Sequence, residues 1–142
     1  YEDIATTAKL IDKAGKIAYL NEKDYYYRIR PNSIQTASFN PKKLDLLDQL
    51  NVVKSIVQTT YPSIINAYYS KEQSALFNLY MNISPDDTKE MLGIADDLWH
   101  GIKKNRISVL KDREARPDAR IASLLSFLGS IPCRCVYKLV RK

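Results

Sequence analysis

Between Asn40 and Gly129 the apolar residues return every three or four positions, in runs broken at prolines and ended by a glycine. That period lines one side of an α-helix and cannot serve a strand, whose side chains alternate. Asn40 can cap a helix that opens on Pro41, with Leu46, Leu50, Val53 and Val57 as its inward stripe. Tyr61-Pro62 interrupts it, and a second helical stretch over 63–83 turns Ala75, Leu76, Leu79 and Ile83 inward. Ser84-Pro85-Asp86-Asp87 predicts the start of a third helix, whose face is Met91, Ala95, Leu98 and Ile102. Trp99 belongs to the core there, and His100 to the surface or a helix end. The charged stretch 105–117 reads as a loop or frayed turn. Pro117 opens one more helix, with Ile121, Leu124, Leu125 and Leu128 expected inside and Gly129 as its stop. After Pro132, CRCVYKLVRK reads as a short basic amphipathic helix. The fold class expected is mainly α, an irregular helical bundle with a small N-terminal β-hairpin.

The hairpin comes from the first 39 residues. Residues 2–14 predict a short helix opened by Glu2 and Asp3, which favour the positive end of the helix, with Ile4, Ala8 and Ile11 at helical spacing and Gly15 as the stop. KIAYL at 16–20 and DYYYRIR at 24–30 are rich in aromatic and branched residues and read as two short strands. Tyr25, Tyr27 and Ile29 share one face of the second, and Tyr26, Arg28 and Arg30 the other. Pro31-Asn32-Ser33 ends it. Two short strands do not make a stable sheet alone. The hairpin must rest on the helices or complete a sheet made elsewhere.

With 142 residues, 45% of them apolar and 27% charged, the chain has a globular composition and the length of one domain or one lobe. No apolar run approaches the ~20 residues of a membrane-spanning helix. The chain begins at Tyr1 with its first strong signal at residues 2 and 3, so it is expected to be cut from something longer. Cys133, Cys135 and His100 are too few to complete a zinc site, and the cysteines read as small apolar side chains in a reducing cytoplasm. Net charge is +6, unevenly spread. Residues 1–100 hold 11 basic and 13 acidic side chains, and residues 101–142 hold 11 and 3, giving −2 and +8. The basic end is expected to meet an anionic partner. Lys103, Lys104, Arg106, Arg134, Lys138 and Arg141 are its candidate membrane or anion contacts, with Ile131, Val136, Tyr137, Leu139 and Val140 nearby. Nucleic acid is disfavoured, because no known binding motif is present and the aromatics cluster away from the basic residues.

The acidic pair Glu2-Asp3, followed by KLIDKAGKIAYLNE, then by DYYYRIRPNSI at 24–34, Phe39 and the Leu-rich KKLDLLDQL, resembles the end of the catalytic domain of family 2 glycosyltransferases. The relatives in mind are bacterial enzymes of capsule, exopolysaccharide and wall-polymer assembly, and the later helices resemble their C-terminal extension. The resemblance implies a GT-A fold in the parent enzyme, with residues 1–39 as the end of the catalytic domain and residues 40–142 as a helical extension. It implies transfer of a sugar from a nucleotide-sugar donor to a glycan or lipid-linked acceptor, with inversion. Asp3 is the implied base for the acceptor hydroxyl, with Glu2 in support. Arg28 and Arg30 are implied phosphate contacts, with Ser33 as a further polar contact. Family members carry an apolar residue at the position of Asp24.

The family also implies Mg or Mn at an Asp-x-Asp motif, and this chain contains no such motif. The donor site is therefore expected in a missing N-terminal nucleotide-binding domain, and the fragment is expected to hold no cofactor and to be inactive alone. The expected location is the cytoplasm, peripheral at the inner face of the plasma membrane. The competing reading is a non-catalytic helical binding or oligomerisation module with a basic anion-binding tail.

Overall fold

The computed structural model describes residues 1–23, 25–26, 28 and 39–140, and at Glu2 and residues 138–140 the backbone alone. Its α-helices are α1 (Glu2–Lys13), α2 (Asp45–Thr60), α3 (Ile65–Met81), α4 (Lys89–Lys111), α5 (Pro117–Leu125) and α6 (Ser130–Val140). Short 3₁₀ turns at Pro41–Leu44 and Pro62–Ile64 lead into α2 and α3, and a third at Ser126–Leu128 leaves α5. The fold is mainly helical.

The central contact is α3 on α4. Leu76, Leu79 and Ile83 meet Ala95, Leu98 and Ile102 in one buried cluster, as the helical period requires. Gly101 makes the close approach possible, since a Cβ there would stand 3.0 Å from Leu76 Cδ1. Trp99 is half-buried against this cluster, edge-on to Phe77 at 6.4 Å and tilted against Tyr80 at 5.1 Å. A second cluster joins Leu50 and Val57 of α2 to Tyr68 and Ala75 of α3. Ile4 packs on it and Ala5 is buried, which seats α1 against α2.

Polar bonds fix the register of these helices. Gln73, fully buried on α3, donates to the Ile102 carbonyl (3.3 Å) and to Ser123 Oγ (3.0 Å), tying α3 to α4 and α5. Glu72 accepts from Tyr68 Oη (2.9 Å) and from Asn105 Nδ2 (2.5 Å). Burial first, and this carboxylate second, push the Tyr68 phenol far above its ordinary value. At the far end of α4, Ser70 Oγ donates to Asp112 Oδ2 at 3.1 Å.

Several expectations are corrected. No strand occurs among the described residues: 16–20 is exposed backbone without helix or strand, and of 24–30 only Tyr25, Tyr26 and Arg28 are described. A pleated segment needs a partner edge, and nothing described here provides one. Helix α4 starts later than predicted, capped by Thr88, whose Oγ1 accepts from the Met91 amide, while Ser84 Oγ and Asp87 Oδ1 accept amides within the preceding turn. It also runs on through Lys111, because Asn105 and Val109 keep its buried face going beneath the surface charges. The predicted stop at Gly129 holds, with φ 107°. The last helix begins at Ser130, ahead of Pro132.

The largest correction concerns α5, which is turned the other way. Its buried positions are Ala119 and Ser123, followed by Ser126, while Ile121, Leu124 and Leu128 face outward and Leu125 is half-buried. Small side chains let α5 lie close to its neighbours, and Ser123 must meet Gln73. A leucine at that position would hold the helices apart.

Candidate functional site

Asp3 stands in the first turn of α1, exposed to solvent. Acidic residues there offset the unpaired amides at the positive end of the helix, so the placement is also locally favourable. Glu2 is the first residue of α1, and its side chain lies outside the described residues. Arg28 is exposed, in the segment that follows α1. Among the described residues no hydrogen bond or ion pair joins it to Asp3. Arg30 and Ser33 lie outside the described residues.

The segment between Asp3's helix and Arg28 carries large apolar side chains in the open. Ile17 and Leu20 are exposed, as are Tyr19 at 87% and Tyr26 at 94%. Isolated exposed apolar residues are ordinary, but here several fall within one short stretch.

The basic candidates divide into two kinds. Lys103 and Lys104 are exposed on α4. Arg106 and Arg134 are instead committed to the fold. The Arg106 guanidinium lies 3.8 Å over the Phe127 ring and donates to the Ser126 carbonyl at 3.3 Å. Arg134 reaches from α6 to the end of α3, where it donates to Tyr80 Oη (3.0 Å), the Ile83 carbonyl (2.7 Å) and the Tyr80 carbonyl (3.2 Å), with its guanidinium 4.0 Å above the Tyr80 ring. These carbonyls lie at and just beyond the C-terminal end of α3, where the Tyr80 carbonyl also accepts the Ile83 amide at 3.3 Å, and a cation there suits the helix dipole. The side chain of Lys138, and Arg141 altogether, lie outside the described residues.

Two clefts flank α6. One, about 450 Å³, lies between α3, α5 and α6 and is lined by Phe77, Met81, Ala122, Leu125 and Val136, with Ser74 and Asp118 at its edge. The other, about 460 Å³, lies beside Tyr80, Asp96, Ile131 and Arg134. Neither includes Asp3 or Arg28. Cys133, buried beside the first cleft, has its thiol pushed up by burial, while Cys135 is exposed.

Among the described residues no group of three or more His, Cys, Asp or Glu gathers that could hold the divalent cation implied by the resemblance. Of the two acidic doublets, Asp87 is used in the turn before α4, and Asp96-Asp97 lies on exposed helix surface. No helix among the described residues is long and apolar enough to cross a membrane.

The feature that sequence reasoning missed is the exposed apolar face of α5 and its 3₁₀ turn. The signal was present in the small residues Ala119, Ser123 and Ser126, spaced by four and three, which mark the closely packed side. Compared with protein-family models, with curated proteins and with solved structures, the chain matches none.

Proposed function

We propose that this chain is the acceptor-side, C-terminal part of an inverting sugar transferase. Its residues 1–39 would lie against a nucleotide-binding domain that carries the donor and its metal. Two observations support the reading: an exposed carboxylate, Asp3 on the first turn of α1, and the exposed apolar side chains of Ile17, Tyr19, Leu20 and Tyr26 beyond the other end of that helix. Packing these side chains against a partner sheet would remove their apolar surface from water.

In the mechanism, an Asp3 carboxylate oxygen accepts the proton of an acceptor hydroxyl as that oxygen attacks the anomeric carbon of the donor sugar. The carbon–oxygen bond to the nucleotide diphosphate breaks, the diphosphate leaves with the bonding pair, and the configuration at carbon inverts. Arg28 offers a guanidinium to phosphate oxygens from the same segment. Within the parent enzyme, Asp3→Asn is expected to lower kcat by roughly 10²–10⁴-fold with the donor Kd unchanged. A variant that keeps its turnover removes Asp3 from the role of base.

A second reading, an interaction module, draws on the exposed apolar face of α5. It is compatible with the first, because that face lies on the helical extension and not on α1.

A further inference from the structure

The corner where α5 runs into the Ser126–Leu128 turn and on to α6 holds the largest bare apolar side chains of the helical region. Ile121, Leu124 and Leu128 follow one another at spacings of three and four along one side, and they are 59%, 61% and 67% exposed. Phe127, 51% exposed, sits beside them, its ring held flat by Arg106. Beyond the Gly129 turn, Ile131 is 75% exposed. The inward side of this corner is already satisfied, by Ser123 on Gln73 and by Ser126 Oγ donating to the Ser123 carbonyl at 2.6 Å. These side chains therefore have no place in the core formed by the described residues.

The surrounding charge selects the occupant. No acidic residue follows Asp118, whereas residues 119–142 contain five Lys or Arg. Arg120 precedes Ile121 and lies one turn from Leu124, and Lys103 and Lys104 lie one turn from Arg106 and from the exposed Ile107 on the neighbouring α4. The carboxylate nearest along the sequence, Asp118, is paired with Arg116 at 2.8 Å. Exposed apolar side chains with the exposed cations Arg120, Lys103 and Lys104 close by in the fold disfavour a second copy of the same surface and match acyl chains beneath anionic headgroups.

We infer that this corner is a membrane-docking wedge: Leu124, Phe127, Leu128 and Ile131 enter the headgroup–acyl boundary of an anionic bilayer while Lys103, Lys104 and Arg120 meet its phosphates. The contact differs from the one expected at the tail, since Arg134 is engaged with α3 and Val136 and Tyr137 are half-buried. It does not depend on sugar transfer. Four partly inserted apolar side chains give reversible binding, to which each nearby cation adds about 1 kcal/mol of attraction.

The test is co-sedimentation of the purified chain with phosphatidylcholine vesicles, with and without about one-third phosphatidylglycerol. The mixture holds no sugar donor or acceptor, so its outcome is separate from that of the transferase reading. Retention is expected on the anionic vesicles only, and it should fall as salt rises from about 0.1 to about 0.5 M. The pair Leu124→Gln and Leu128→Gln should cut partitioning by about tenfold or more, as should the pair Lys103→Glu and Lys104→Glu. All four positions are exposed, so helix content by circular dichroism should be unchanged. Absence of retention at low salt overturns the proposal, as does equal retention on neutral vesicles. So does binding that the leucine pair leaves intact, which makes the contact purely electrostatic. A lipid-free dimer in sedimentation velocity that the leucine pair disperses also overturns it, because the occupant is then a second copy.

Discussion

Arg134 is the side chain whose removal should cost this fold most for its exposure. It is half-buried, yet it makes three hydrogen bonds to the end of α3 and stacks on Tyr80, so it serves as the main polar tie of α6 to the rest. Hydrogen bonds from a charged donor contribute about 1.5–3 kcal/mol each. The three share one side chain, however, and the Ile83 and Tyr80 carbonyls regain water once α6 loosens. Arg134→Met, which keeps the apolar stem, is therefore expected to lose about 2–3 kcal/mol in urea unfolding. At about 4 °C per kcal/mol, that is a fall in Tm of roughly 10 °C. Arg134→Lys should recover little, since a single ammonium cannot reach acceptors spread across a planar fork. A local readout accompanies the global one: Cys133, buried one residue away, should react with a thiol reagent faster in the variant, while exposed Cys135 is unchanged. Stability within about 0.5 kcal/mol of the original chain, with Cys133 still protected, would refute the reasoning.

Two glycines on α4 should respond in opposite directions. Gly93→Ala meets open space and should gain about 0.5–1 kcal/mol. Gly101→Ala drives a methyl against buried Leu76, and its overpacking cost of about 1–3 kcal/mol, offset by the same helical gain, leaves a net loss of about 0–2 kcal/mol; chemical denaturation measures both. Gln73→Ala removes the bonds to Ile102 and Ser123 and leaves a cavity, with an expected loss of about 2–3 kcal/mol by the same assay. Alkaline pH should weaken the fold through Tyr68 and Cys133, whose ordinary values are 10.0 and 9.0 and whose folded values are both raised by burial. That stabilisation is complete below about pH 9 and is lost as pH climbs toward the folded values, so unfolding free energy should fall above about pH 9, and less steeply in Tyr68→Phe.

Where period and residue size agreed, the fold was legible. The stripes Leu50–Val57, Leu76–Leu79–Ile83 and Ala95–Leu98–Ile102 point inward as their spacing predicts, because large apolar side chains at helical intervals have one profitable side. On α5 the two criteria disagreed, and size prevailed: Ala119 and Ser123 are buried because the helix packs close, and the leucines are pushed outward. The end of α4 was obscured by surface charge, since Lys103, Lys104 and Lys111 lie on the outer side of a helix whose inner side holds Ile102, Asn105 and Val109. The role of Arg134 had no local signal, for its acceptors lie more than fifty residues back along the chain. Of the candidate site, Asp3 and Arg28 are both exposed, and Arg30 and Ser33 lie outside the described residues. The aromatic run beside them has strand composition without a strand partner among the described residues, so residue type alone could not specify its conformation.

The stretch after α1 is the proposed contact surface for a nucleotide-binding domain. Amide hydrogen exchange across residues 16–23, measured in this chain alone and in the parent enzyme, tests that directly. The prediction is near-unprotected exchange in the chain alone and slowing by about 100-fold or more when the domain is attached. Equal rates in both would contradict it.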